Sequence, residues 1–247
     1  MRRYGPAATI NYSFGPGPIT PAVKAIILAN IAFFVVSIFY APISDYLGLV
    51  PEAVLERFWV WQLATYMFLH ASPMHILFNM LGVWMFGVEL ERMWGTAFFA
   101  RFYAITGIGA GITVVAASLL PVEALQQTYA ASTIGASGAL YGLLMAFALY
   151  FPTRTFLVFF VFPVQARYFV MILGAMALLF SLGGGAGVAH TAHLGGLLSG
   201  YLYLKGKRLN VISEIQYRYL KWRINRMRKK FDVYSGGRRD DYDRRVH

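Results

Sequence analysis

The chain has 247 residues, 58% of them hydrophobic and 13% charged, with a net charge of +11 and no cysteine. Soluble domains carry about 25% charged residues, so this composition points away from a soluble protein and toward one held in a bilayer. Without cysteine, disulfides, thiolate catalysis and cysteine-based metal sites are excluded.

Arg2 and Arg3 precede a Gly/Pro-rich polar stretch, 5–21, where a cleaved signal peptide would carry an apolar core. Residues 1–21 are therefore expected to be a cytoplasmic segment before an uncleaved anchor. The first predicted span is 22–41. Residues 42–73 are aromatic and mixed in polarity, too interrupted to cross, and read as a structured, partly embedded excursion. Spans follow at 74–88 and 98–120, then a loop at 121–133. The fourth span, 137–151, is stopped by Pro152 and is short, so neighbouring helices are expected to shield it. Segment 155–164 is apolar but broken by Pro163, and reads as an interfacial strand or half-helix. A fifth span at 168–182, a turn at Gly183, Gly184, Gly185 and Gly187, and a sixth span at 189–204 complete an expected six-helix domain, 22–205.

Charge sets the orientation. With the amino terminus inside, 42–73, 121–133 and 183–187 fall outside and hold one basic residue, Arg57. Every other Lys and Arg then lies inside, as the positive-inside rule requires. A multi-pass protein of a cell membrane, inner or plasma, with both termini cytoplasmic, is the expectation.

Fourteen of the 22 Lys and Arg lie from Lys205 onward. In the tail, 206–247, Leu220, Ile224, Met227 and Phe231 repeat at helical spacing among basic residues. This suits either a basic amphipathic helix on anionic lipid headgroups or a plain stop-transfer anchor. Because the basic run follows directly on an apolar span, lipid is the expected partner and nucleic acid is not. The last residues, from Gly236, are expected to be disordered.

Polar groups inside a bilayer are costly and ask for a reason. Three spans bring Ser137, His193, His75 and Asn79 to one depth near the outer face. Ser137 sits in Gly135-Ala136-Ser137-Gly138 at a helix start, where free backbone N–H groups can face a developing oxyanion. A helix-capping serine in a small-residue seam would explain the same motif. The base for Ser137 is His193 or His190. Gly196 and Gly200 match Gly138 and Gly142 in spacing, a paired seam that favours His193. His75 and Asn79, at i and i+4, suit either an oxyanion hole or interhelical bonding. No carboxylate lies near Ser137 in the spans, so the natural form is a Ser–His dyad, with Tyr141 stacked on the imidazole. A zinc site from His70, His75, His190 and His193 would lack an acid to serve as base, and no metal is expected.

These pieces resemble the rhomboid family of intramembrane serine proteases. They comprise Gly135-Ala136-Ser137-Gly138 with Tyr141, Ala192-His193 with Gly196 and Gly200, and His70, His75 and Asn79 in order. Glu91-Arg92-Met93-Trp94-Gly95 also looks familial. The resemblance implies an all-α bundle of six transmembrane helices with an embedded first loop. It further implies a Ser137–His193 dyad in a cavity opening outward, an oxyanion site from His75, Asn79 and the Ser137 N–H, transmembrane protein substrates, and no cofactor. One departure stands out: Trp61-Gln62 replaces the Trp-Arg of many members, which puts the bracing of the first loop in doubt. The competing readings are a non-proteolytic rhomboid-like binder of membrane proteins and a small transporter. The first typically lacks the serine or histidine, and the second would show internal repeats or midplane charges.

Overall fold

Three helices open on a proline. In this computed structural model, which describes residues 15–158, 161–182, 187–208, 221–222 and 226, the helices are numbered in chain order. Helix α1 is Pro21–Phe39, and the short helices α2 (Ile43–Leu47) and α3 (Pro51–Glu56) follow it. Next come α4 (Gln62–Thr65), a 3-10 turn (Tyr66–Phe68), then the long helices α5 (Pro73–Trp94) and α6 (Thr96–Ser118). Pro21, Pro51 and Pro73 stand where a missing N–H costs nothing and the fixed φ is already helical. The chain continues through α7 (Glu123–Gln126), α8 (Ser137–Tyr150), strands β1 (Thr155–Val158) and β2 (Phe162–Gln165), α9 (Ala166–Leu182) and α10 (Gly187–Arg208).

Helices α1, α5 and α6 are long and apolar enough to cross a membrane, and α8 and α9 are shorter apolar helices. Leu28, Val35 and Ile38 on α1 and Met171, Leu179 and Leu182 on α9 are exposed, which suits lipid and not water. The core is built from the inner faces, with Val83 and Leu90 of α5, Phe99 and Phe102 of α6, and Leu143 of α8 fully or nearly fully buried.

Helix α5 runs six residues past the expected end at Val88. Its last turns carry Glu89, Glu91 and Arg92, and it stops at Gly95, whose φ of 79° ends the helical path. The extension has a purpose visible in its contacts. Glu91 is buried and accepts from the Ala22 and Val23 N–H groups at 2.9 and 3.0 Å, and from the Thr20 and Thr96 hydroxyls. One carboxylate therefore caps the first turn of α1, whose N–H groups have no partner in their own helix. Arg92 donates to the Pro16 and Pro18 carbonyls and holds the chain that enters α1.

The expectation of an all-α protein needs one correction. Of the two readings of segment 155–164, strand or half-helix, the strand holds, and there are two of them. β1 and β2 pair as an antiparallel hairpin with Thr155 opposite Gln165 and Phe156 opposite Val164. Two strands satisfy each other's backbone groups, which a single interfacial strand could not do. Phe156 anchors the hairpin on Phe86, Phe147 and Phe169.

The excursion 42–73 is braced across its own path. Gln62 is fully buried; its Oε1 accepts the Val50 N–H at 3.1 Å and its Nε2 donates to the Tyr46 carbonyl at 3.2 Å. The Trp61 indole donates to the same carbonyl at 3.0 Å. A neutral amide thus braces the loop where an arginine was expected to be missed. The chain divides into two units, Met1–Leu204 and Lys205–His247. The glycine turn at 183–186 and the tail positions Leu220, Ile224, Met227 and Phe231 lie outside the described residues.

Candidate active site

Ser137 opens α8, and its position is fixed from the preceding loop. Leu49 and Thr133 form a two-way backbone bridge, and the Gly135 N–H donates to the Tyr66 carbonyl at 2.9 Å. The Tyr66 hydroxyl in turn donates to the Gly107 carbonyl of α6 at 2.8 Å. The excursion and the turn before Ser137 are therefore one hydrogen-bonded body.

Glycines set how closely the helices approach. A Cβ at Gly138 would stand 2.7 Å from the Ala110 Cβ of α6, and one at Gly142 would press on Thr106. From the other side, a Cβ at Gly196 would collide with the Gly138 carbonyl, and one at Gly200 would lie 3.0 Å from the Gly142 carbonyl oxygen. Helix α8 is gripped between α6 and α10 through these positions. That close approach sets His193 of α10 against Ser137: Nε2 and Oγ are 2.8 Å apart. Ala136 and not Ser137 stands at the cap position of α8, so the capping alternative does not describe the serine.

Tyr141, one turn along α8, lies flat on the His193 ring, with centroids 4.1 Å apart and planes within 4°. The His193 Nδ1 is buried without a hydrogen-bond partner among the described residues. His190 stands a turn away, edge-on to His193 at 5.8 Å and against Phe180 of α9 at 5.1 Å.

Gly135 has φ 126°, which a side chain rarely adopts. A Cβ there would lie 2.8 Å from His75 Nε2 and 3.8 Å from Ser137 Oγ. Both groups flank one spot, kept open by the missing side chain. The His75 Nδ1 accepts the Ala71 N–H at 3.4 Å. A ring nitrogen that accepts is unprotonated, so the proton sits on Nε2, the nitrogen facing Gly135. Ser72 caps α5 by accepting the His75 N–H at 3.2 Å. Asn79 is buried and its amide nitrogen donates to the His75 carbonyl at 2.9 Å, one turn back. That bond uses one of its two N–H groups. His70 is also buried, with its ring edge-to-face on His75 at 4.9 Å. Sequence reasoning placed it only in the weighed zinc site and in the family motif, because its neighbour was set by the loop 69–72 and not by helical spacing.

By fold and site this is a membrane-embedded helical bundle with a serine hydroxyl set on a histidine. The chain belongs to the rhomboid family: a family model described as Rhomboid domain matches residues 57–207. It is similar to RHOMBOID-like protein 2 of Arabidopsis thaliana, 30% identical over 71% of this chain and 50% of that protein. It is 34% identical to Rhomboid protein 1, mitochondrial, of Saccharomyces cerevisiae over 55% of this chain and 38% of the relative. Rhomboid protease GluP of Bacillus subtilis is 29% identical over 57% of this chain and 25% of its own length. The chain thus spans about half of these relatives or less.

Proposed function

We propose that the protein is an intramembrane serine endopeptidase that cleaves transmembrane segments of membrane proteins with a Ser137–His193 dyad. The observation that carries this reading is the 2.8 Å contact between Ser137 Oγ and His193 Nε2. The family and a relative named as a rhomboid protease support it.

With the His193 proton on Nδ1, Nε2 accepts the serine proton as Oγ attacks the scissile carbonyl. The imidazolium then protonates the leaving amine, and a water repeats the sequence on the acyl-enzyme. Tyr141 keeps the imidazole plane fixed while its charge changes. The carbonyl oxygen, as it becomes an oxyanion, would lie beside Gly135, the spot that His75 Nε2 faces, with the second Asn79 N–H and the Ser137 backbone N–H as the further donors of this proposal.

Six spans with both ends cytoplasmic, a domain at 22–205 and a tail at 206–247 that meets anionic lipid are part of the same proposal. Substrate helices would be cut near the outer boundary of the bilayer.

The expected result is that Ser137→Ala and His193→Ala each lower cleavage of a reconstituted single-span substrate by at least about a thousandfold. His190→Ala should keep activity. A fluorophosphonate probe should label the wild-type chain at Ser137; active membranes with no adduct there would overturn the dyad.

A further inference from the structure

His75 needs its ring held. Its Nε2–H is useful only if it points at the spot beside Gly135, yet among the described residues the one hydrogen bond that orients the ring, from the Ala71 N–H, is 3.4 Å long. That exceeds the usual 2.7–3.2 Å range and is weak. The second restraint is His70. Its ring meets the His75 ring edge to face, at 4.9 Å between centroids and 70° between planes, and it is itself buried.

We infer that His70 is a positioning residue, whose ring packed against His75 fixes the plane in which His75 presents Nε2–H to the oxyanion. This rests on the reading of Ser137 as nucleophile and His75 as donor. An edge-to-face ring pair has a preferred geometry, so it resists rotation where a contact with an aliphatic side chain would not. Both His70 nitrogens are buried without hydrogen-bond partners among the described residues, so no network there gives the ring another purpose. Burial, with His75 alongside, pushes the His70 pKa down to about 4; the Phe68 carbonyl pulls slightly upward but lies outside hydrogen-bonding geometry. The ring is therefore neutral at pH 7 and offers His75 no competing charge.

The test compares His70→Ala and His70→Phe with wild type in cleavage of a reconstituted substrate. His70→Ala should lose at least about tenfold in kcat with KM within about twofold, because the lost interaction acts on the transition state. His70→Phe keeps an aromatic edge and should stay within about threefold of wild type. Nitrogen-15 NMR of the histidine rings supplies a readout independent of cleavage. His75 should show a protonated Nε2 in wild type and in His70→Phe, and a mixture of tautomers in His70→Ala. Full kcat in His70→Ala, or a His70→Phe variant as impaired as His70→Ala, would overturn the proposal. If Ser137→Ala itself still cleaves, the dyad has failed instead, and the NMR comparison decides the positioning role by itself: unchanged His75 tautomers in His70→Ala would refute it.

Discussion

At Gly135 the requirement is for empty space. A methyl group there would face both a φ of 126° and the His75 Nε2 at 2.8 Å, so Gly135→Ala should cut kcat/KM by about a hundredfold or more while the helices stay formed. Circular dichroism alongside cleavage rates checks both halves of that expectation. His70 predicts a pH effect on stability. Its folded pKa of about 4 lies below the model-peptide value of about 6.5, so between these values the unfolded chain binds the extra proton. Stability should thus be full above about pH 6.5 and fall as pH drops toward 4. Thermal melts in detergent should show a flatter slope in that window for His70→Phe. Ser137, His75, His193 and Asn79 were legible in the sequence because each is a polar group near one depth in an apolar span. The His75 tautomer was not, since it depends on a loop N–H that no spacing reveals. Gln62 was read only as a missing arginine, because an amide's capacity to both donate and accept shows itself only when Val50 and Tyr46 are brought to it.

Among the elements, α8 is constrained from two sides, by α6 and by α10. The matched glycine spacings at 138/142 and 196/200 were readable in advance, and they are the points at which α8 and α10 touch. Gly196→Leu should force these helices apart, abolish cleavage and lower the melting temperature, whereas the same change at Gly206, where nothing lies within 4 Å of a Cβ, should do neither. The hairpin 155–165 was half legible. Its apolar run and Pro163 marked an interfacial strand or half-helix, but pairing is a tertiary outcome that one apolar run does not encode. The end of α5 was missed because its last turns are charged, and charge was taken as the limit of the span. Those turns are helical because Glu91 and Arg92 have partners on α1 and before it.

For the whole molecule, the apolar composition made the membrane class readable before any fold was known, and the uneven charge distribution set the expected orientation. The proposed topology is open to direct measurement, since the chain has no cysteine and single cysteines need no altered background. A membrane-impermeant maleimide applied from outside should label Ser132→Cys and not Thr153→Cys; the reverse pattern would invert the orientation. The latch at Glu91 also bears on the order of assembly. The first helix leaves the ribosome roughly seventy positions ahead of the carboxylate that ties down its leading turn. During synthesis that turn must wait, its amides served by water or headgroups, until the second long helix has been made and inserted. Early docking of the first helix is therefore provisional, and a nascent chain truncated before Glu91 should leave its amino-terminal segment open to protease long after the apolar stretch has entered the bilayer.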